Sequence, residues 1–391
     1  MQKNYDHSIR RNDLDWLRVI AIFAVFLYHS LHFFDTGDWS VKNPTTYTWI
    51  EPTLMNFMAV WMMPLIFLIS GASVFYAVGK TNVIRFIRDK VMRLFVPLIV
   101  GVFSFSAMQV YIERISHGQF QGSFIEFIPH YFEGVYIPGG TGNFAFHGMH
   151  LWYLLFLFIF NLAFMPIFWW FKGVTGSTFL RRVGDLLAIP GFLVLFLLPT
   201  VIIQNVAPNE GSIVVGGWRM AQYGWFFFAG YLLSSHQHLR AQIITTRWIW
   251  ACLSFVVICG SVFLHKGPAD HPDILVWLEL YTILGFAMKR LDFSNPFLEY
   301  SREAVMPFYI LHQNVLFLIG FFIVNWAIPD PVKFLIIMLC TLVVIMAMYE
   351  YIVRRYNAIR ILFGMKLIRK SAPNGFSRVH EIETSPNSRV L

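Results

Sequence analysis

The chain has 391 residues, of which 57% are hydrophobic and 13% are charged, and its mean hydropathy is +0.58. Soluble domains carry about 25% charged residues, so this composition excludes a soluble enzyme and indicates a protein that crosses a membrane several times. The net charge of +8 does not indicate nucleic-acid binding, because the basic residues lie between hydrophobic segments and form no single patch. We expect a lipid bilayer, and no nucleic acid, among its partners.

Ten apolar segments of membrane-spanning length follow one another along the chain. They predict an all-α, polytopic integral membrane protein with about ten transmembrane helices, of which the short sixth and eighth are the least distinct. We expect no cleaved signal peptide and find no internal repeat. The ten segments are residues 14–34, 54–78, 94–113, 149–171, 186–206, 220–235, 248–265, 274–288, 304–327 and 332–353.

Lysine and arginine residues are unevenly distributed between the two sets of connecting segments. When the N-terminus is assigned to the cytoplasm, the cytoplasmic segments hold 25 of the 30 basic residues. The positive-inside rule then predicts that both termini are cytoplasmic, which requires an even number of spans. We expect residues 1–370 to form one membrane-integral domain and residues 371–391 to form a polar, disordered cytoplasmic tail. The five basic residues on the outer side are Lys42, Arg114, Arg219, Lys266 and Lys333.

The first apolar segment carries three ionisable side chains that lie near one helical stripe. Arg18 and His29 are eleven residues apart, which gives them one helix face and about 16 Å of rise between them. Asp15 lies within about 60° of the same stripe. Ionisable residues inside a span indicate a functional site, and a histidine near mid-span can take a proton from a hydroxyl and return it. A helix-packing histidine and an arginine that only reaches the interface are the alternatives.

A second basic cluster lies between the second and third spans. Arg85, Arg88 and Arg93 belong to the sequence RFIRDKVMRLFVP, at the predicted cytoplasmic boundary. Guanidinium groups bind phosphates bidentately, so these residues are candidates for holding a phosphorylated substrate. Ordinary positive-inside charge, or contact with anionic lipid head groups, explains them equally well.

Four further residues are candidates for contacting an acceptor or supporting the site. His150 and Trp152 open the fourth span, Glu279 is a carboxylate inside the eighth, and His312 lies in apolar surroundings in the ninth. Aromatic belts at the interface and hydrogen bonds between helices are the structural explanations. We expect no metal site, because the chain has no two-histidine helix motif and its three cysteines lie in apolar segments without the spacing of metal ligands.

Five motifs, in this order along the chain, resemble the membrane-integral acyltransferase type 3 family. The first is an LDWLR-like start with an arginine, ten residues and then a histidine. The ending YEYIVRRYNAIRILFGMK is similar to the branch that includes periplasmic glucan O-succinyltransferases. The other four motifs are MPLIFLISGASVF (63–75), FIRDKVMRLFVP (86–97), HLWYL (150–154) and FYILHQ (308–313).

The resemblance implies an acyl-CoA-dependent O-acyltransferase in the bacterial cytoplasmic (inner) membrane. An acyl group, succinyl or acetyl, would pass from cytoplasmic acyl-CoA to a hydroxyl of a carbohydrate such as a periplasmic glucan or surface polysaccharide. No cofactor would be tightly bound, since succinyl-CoA or acetyl-CoA acts as co-substrate. His29 matches the family's essential histidine, Arg18 its arginine, and Arg85 and Arg88 its paired basic residues.

Two mechanisms and one rival function remain open from the sequence. His29 acts either as a general base on the acceptor hydroxyl or as a covalent carrier of the acyl group. The rival is a transporter or flippase of a lipid-linked or small anionic compound, which the same intramembrane charges support. The lack of an inverted repeat and of matched broken helices argues against it. A non-catalytic scaffold or sensor would leave the polar stripe on the first helix unexplained.

Overall fold

The computed structural model describes residues 10–137, 142–206, 220–263 and 272–368. Within these ranges the chain is helical and contains no strand beyond one isolated bridge between Val135 and Phe144, which confirms the all-α prediction. The predicted tail, residues 371–391, lies outside the described residues. The first eight helices are α1 (Asn12–Leu31), α2 (Asn56–Val78), α3 (Val83–Lys90), α4 (Val96–Phe103), α5 (Phe105–Ser116), α6 (Phe124–His130), α7 (Trp152–Ala163) and α8 (Met165–Lys172).

The second half of the described chain is built in the same way. Turns of π-helix precede α2, join α3 to α4 and follow α15, while 3₁₀ turns precede α7 and α10. These turns make several helices continuous over longer stretches. The remaining helices are α9 (Val174–Leu187), α10 (Leu197–Val206), α11 (Met220–Ser235), α12 (Gln237–Phe263), α13 (Pro272–Arg290), α14 (Pro296–Ile323), α15 (Asp330–Met348) and α16 (Asn357–Leu362).

The described chain contains six to eight candidate membrane-spanning helices. Six are long and apolar enough to cross a bilayer, and two bent pairs raise the number to eight. The described part of α11 has 16 residues, and α13 carries Asp273, Glu279, Lys289 and Arg290. The described residues therefore confirm several apolar helices of spanning length, whereas the count of about ten stays a prediction.

Two predicted spans are bent, contrary to the expectation of unbroken helices. The segment 149–171 bends by 45° between α7 and α8, where Pro166 lies at the start of α8. The segment 186–206 lies across a bend of 120° that separates α9 from Phe192–Val206. Pro190 lacks an amide donor and Gly191 has a positive φ of 90°, so the helix ends there.

The helices α2 and α14 form the centre of the bundle, because 72% of the most apolar 18-residue stretch of each is buried. α2 packs along α11, and α14 packs against α1, α5 and α15. Glycines bring the first pair into backbone contact, because a Cβ at Gly71 would lie 1.7 Å from the Phe227 carbonyl oxygen. A Cβ at Gly230 would lie 1.9 Å from the Leu68 carbonyl oxygen. Small residues of this kind allow close helix packing in a membrane.

The two ends of the bundle carry different polar networks. The Arg18 face is the end where the Arg302 guanidinium pairs with Asp15 and Arg11 donates to the Tyr76 hydroxyl. The Trp39 face is the opposite end, formed by residues 32–50, 117–137 and 142–148 and the start of α15.

The segment after α1 is held firmly on the Trp39 face. Asp35 is fully buried and contacts the Lys42 ammonium and the His32 ring, the latter at 2.8 Å. Burial raises the pKa of Asp35, but hydrogen bonds and charge from His32 and Lys42 outweigh it and hold the pKa below its usual value. Asn43 and Tyr47 donate to the carboxylate of Asp330 at 3.1 and 2.9 Å. These contacts fix the segment that carries Trp39.

Candidate active site

Three histidines from distant parts of the chain meet inside the bundle. His29 lies near the end of α1, His150 in the 3₁₀ turn before α7, and His312 in the middle of α14. The His29 Nδ1 atom is 3.0 Å from His312 Nε2, and the rings of His150 and His312 meet edge-on at 5.1 Å. The sequence brings none of these pairs together, since His29 and His312 are 283 residues apart.

The hydrogen bonds determine which nitrogen of His29 is free to accept a proton. His312 Nδ1 lies 2.6 Å from the Tyr309 carbonyl oxygen, which only accepts, so this nitrogen carries the hydrogen. In the neutral ring, His312 Nε2 is then an acceptor for the His29 Nδ1–H group. His29 Nε2 is left with its lone pair, and no described residue bonds to it. The His29 Nε2 atom is therefore the nitrogen that is available to accept a proton.

His150 is fully engaged in structural hydrogen bonds. Its Nε2 atom donates to the Ile310 carbonyl oxygen at 3.1 Å, so Nδ1 accepts from the Gln109 amide, also at 3.1 Å. The same Gln109 amide donates to Asn314 Oδ1 at 2.9 Å. His150 thus ties α5, α7 and α14 together beside His312. Of the two roles that the sequence leaves open for His150, contact with an acceptor or support of the site, these hydrogen bonds favour support.

A cavity of about 450 Å³ opens between the histidines and the Trp39 face, within the range of small-molecule sites. His29 and His150 line its inner end. Met62 and Met63 of α2 and Tyr223 of α11 line one wall. A half-buried His29 with a free nitrogen therefore faces a space large enough for a substrate.

Trp39 covers His29 and His32 from the Trp39 face. Its indole ring stacks on His32 with the ring centroids 4.3 Å apart and the planes 14° apart, and on His29 at 5.6 Å and 15°. Phe317 packs edge-on against the same ring at 5.2 Å. The sequence does not single out Trp39, because this residue lies in a loop and its stacking partners are set by tertiary packing.

Arg18 and Asp15 lie far from the three histidines. The Asp15 carboxylate contacts Arg302 at 2.8 Å, Arg10 at 2.9 Å and Arg18 at 3.3 Å. Fourteen residues of helix separate Asp15 from His29, a rise of about 21 Å. The structure therefore brings Asp15 together with arginines at the Arg18 face and does not bring it to the histidine.

Polar side chains connect Arg18 with the cavity. Its guanidinium donates to the Ser73 hydroxyl at 2.9 Å. One turn deeper in α2, Ser70 shares a hydrogen bond of 2.6 Å with the Tyr153 hydroxyl. The Tyr153 ring lies edge-on to Tyr309 at 5.7 Å, and Tyr309 lines the cavity. These polar side chains lie in order between the Arg18 face and the cavity, and the sequence gives no signal for their hydroxyl groups.

The basic cluster of α3 and the following π turn lies at the Arg18 face. Arg85, Arg88 and Arg93 are exposed, and none of the ion pairs among the described residues involves them. Lys90 interacts electrostatically with both Arg93 and Arg18, so the cluster and Arg18 share one region. The cap at Asn82, whose side chain accepts from the Arg85 amide, fixes the start of α3.

The other two candidates occupy different positions. Trp152 lines the cavity and contacts the Tyr223 ring at 5.4 Å. Glu279 is buried in α13, away from the cavity lining, and its carboxylate oxygens have no hydrogen-bond partner among the described residues. In the described part of the chain, no cluster of three or more His, Cys, Asp or Glu side chains is arranged to hold a metal ion.

The family model of the acyltransferase 3 domain matches residues 11–350, from the start of α1 to the π turn after α15. The chain therefore belongs to this acyltransferase family, as its motifs predict. Together with its long apolar helices, the match identifies a multi-pass membrane acyltransferase. Comparison with curated proteins and with solved structures finds no match.

Proposed function

We propose that this protein transfers an acyl group from acyl-CoA, bound at the Arg18 face, to a hydroxyl of a carbohydrate that enters the cavity from the Trp39 face. The observation that carries the proposal is a pair of linked hydrogen bonds at the inner end of that cavity. His29 Nδ1 bonds to His312 Nε2, and His312 Nδ1 bonds to the Tyr309 carbonyl. The Arg18 face would then be cytoplasmic, as the positive-inside rule predicts, in the inner membrane of a bacterium.

His29 acts as the general base in the proposed reaction. Its Nε2 atom takes the proton of the acceptor hydroxyl while the hydroxyl oxygen attacks the thioester carbonyl carbon. The carbon–sulfur bond then breaks, and the departing thiolate takes the proton back from Nε2. The products are an ester and the free thiol of coenzyme A. His312 stabilises the cationic ring between these steps, because its Nε2 atom accepts from His29 Nδ1–H.

The donor side is supported by the arrangement of cations. Arg85, Arg88 and Arg93 are exposed without ion-pair partners among the described residues, so their guanidinium groups are available to the phosphates of coenzyme A. The long pantetheine arm would follow the route through Arg18 and Ser73 to the Ser70–Tyr153 hydroxyl pair. These hydroxyls offer the hydrogen bonds that the arm's amides need in a buried channel.

The surroundings of His29 favour an uncharged acyl group. The groups that interact electrostatically with His29 are three histidines, His312, His32 and His150. No Lys or Arg among the described residues belongs to that set, so a succinyl carboxylate beside His29 would be buried without a counter-ion, which is costly. We therefore favour acetyl-CoA over succinyl-CoA as the donor.

A transfer assay tests the proposal. Purified full-length protein in nanodiscs is supplied with radiolabelled acetyl-CoA or succinyl-CoA and a glucan oligosaccharide. We expect labelled ester with acetyl-CoA, and a loss of at least a hundredfold in kcat for His29→Gln, since a positioned base contributes about 10²–10⁴. Transfer that survives His29→Gln contradicts the role of the base.

A matched variant separates loss of chemistry from loss of structure. His238 is an exposed histidine at the Arg18 face, outside the cavity lining, so His238→Gln should transfer at the wild-type rate. Ester formed from succinyl-CoA at a rate equal to that from acetyl-CoA would contradict the choice of donor while leaving the transfer itself established. A lack of ester with both donors would contradict acyl-CoA dependence.

A further inference from the structure

The outer end of the cavity has a lining unlike that around the histidines. Asp38, Trp39 and Ser40 reach it from the segment after α1, and Glu113 and Tyr136 reach it from α5 and the loop beyond α6. The formal charges among its lining residues are two carboxylates, and neither Lys nor Arg contributes to the described lining. This end combines aromatic rings with hydrogen-bond acceptors and carries a negative formal charge.

Glu113 is positioned to accept further hydrogen bonds. It is 5% exposed, and its Oε2 atom accepts from the Ser40 hydroxyl at 2.8 Å and from the Tyr136 hydroxyl at 2.9 Å. The neighbouring Arg114 lies 3.4 Å from the other carboxylate oxygen, a long contact. The carboxylate is thus fixed in place by two hydroxyl groups while lining the cavity.

Arg114 is a permanent cation that contacts the Glu113 Oε1 atom at 3.4 Å but does not line the cavity. Its guanidinium also lies over the Tyr136 ring and donates to Asn143, Gln119 and the Gly142 carbonyl. Burial lowers the pKa of His147 to about 4, so this lining residue is neutral at neutral pH. An anionic ligand in the cavity therefore faces two carboxylates and no Lys or Arg side chain of the described lining.

Trp39 supplies the matching donor. Its ring is held by His32, His29 and Phe317, while its indole N–H is buried and has no hydrogen-bond partner among the described residues. Leaving such a donor unpaired is costly, so a ligand that accepts from it gains affinity. The rigid indole also offers an apolar surface beside this polar group.

We infer that this end of the cavity is an acceptor subsite for an uncharged saccharide and that it excludes acidic saccharides. One pyranose ring would place its C–H face against the aromatic side chains, donate hydroxyl hydrogens to Glu113 and Asp38, and accept from the Trp39 N–H group. A uronic acid or a phosphorylated sugar would bring like charge against the two carboxylates. The link from this subsite to ester formation rests on the proposed function, but the binding itself does not.

Binding measured without a donor tests the subsite independently of catalysis. Isothermal titration of the full-length protein in nanodiscs compares a β-linked glucose trisaccharide with a trisaccharide of glucuronic acid of the same linkage. We expect the neutral probe to bind at least tenfold more tightly. Trp39→Phe, which keeps a ring and removes the N–H group, should weaken its binding about tenfold. Trp49→Phe serves as the control, because Trp49 is 55% exposed and outside the cavity lining, and should bind as the wild type does.

Charge removal provides the second test. Asp38→Asn combined with Glu113→Gln should strengthen binding of the acidic trisaccharide at least tenfold, with thermal unfolding monitored to show that the variant is folded. Equal affinity of the wild type for both probes, no measurable binding of the neutral probe, or unchanged binding in Trp39→Phe would each overturn the inference. Neutral-probe binding that depends on Trp39, in a protein that forms no ester, would instead retain the subsite and reject the proposed function.

Discussion

Replacing His312 should slow the chemical step without weakening donor binding. In His312→Leu, the His29 Nδ1–H group loses the acceptor that lies 3.0 Å away in the wild type. This hydrogen bond joins neutral groups before the reaction, where it contributes about 1 kcal/mol, and a cation during it, where it contributes about 1.5–3 kcal/mol. The difference of about 0.5–2 kcal/mol corresponds to a decrease in kcat of about 2- to 30-fold. Loss of control over the tautomer adds to this decrease.

The assay separates positioning from structural damage. Initial rates of ester formation in nanodiscs give kcat and the KM for acyl-CoA, and we expect the decrease to lie in kcat because His312 is remote from the Arg18 face. His312→Gln presents an amide oxygen near the position of Nε2, so it should recover a part of the lost rate. Leucine and glutamine variants with equal rates, or a change confined to KM, would refute the assignment. Thermal unfolding close to that of the wild type shows that both variants are folded.

Three further experiments address the donor, the mechanism and the Trp39 face. Arg85→Ala combined with Arg88→Ala should raise the KM for acyl-CoA about tenfold or more, because two charge-assisted contacts are lost. Arg182 is an exposed arginine outside this cluster, so Arg182→Ala should leave the KM unchanged. An unchanged KM in the double variant would mean that Arg85 and Arg88 only set the membrane topology. Incubation with radiolabelled acyl-CoA without an acceptor should leave the protein unlabelled if His29 is a base; a label that His29→Gln abolishes would indicate a covalent relay. The pKa of Asp35 is lower in the folded state than its unfolded value of 3.8, so its stabilising effect is present above pH 3.8 and is lost as the pH falls through the folded value. The unfolding temperature of Asp35→Asn should therefore be lower than that of the wild type at neutral pH and converge with it in acid. Parallel curves of unfolding temperature against pH would contradict this linkage.

The local features of the fold and of the site could be predicted from the sequence on physical grounds. A run of apolar residues long enough to cross a bilayer must form a helix there, because its backbone groups have no water to bond to. The position of His29 in α1 and its distance along the helix from Arg18 follow from the same regular geometry. The motifs occur in order over the whole helical region, and the family membership that they predict is confirmed by the family match.

The contacts between distant residues could not be predicted in this way. The pairing of His29 with His312 depends on how α1 packs against α14, and helical periodicity within either helix does not specify that packing. The break at Pro190 and Gly191 falls inside the predicted span 186–206, since proline and glycine also occur within transmembrane helices and do not by themselves predict a break. Trp39 lies in a loop, where apolar periodicity gives no information.

The backbone contact between α2 and α11 has a consequence for how substrates enter and leave. A helix whose Gly71 already touches the Phe227 carbonyl cannot slide past its neighbour without bringing a larger side chain against the same backbone. Since α2 and α11 also form one wall of the cavity, that wall stays in place during turnover. The opposite wall, with Trp39 and Glu113, is held by ring stacking on His32 and by hydrogen bonds from Ser40 and Tyr136. Substrates therefore enter and leave the cavity without a sliding movement of α2 against α11.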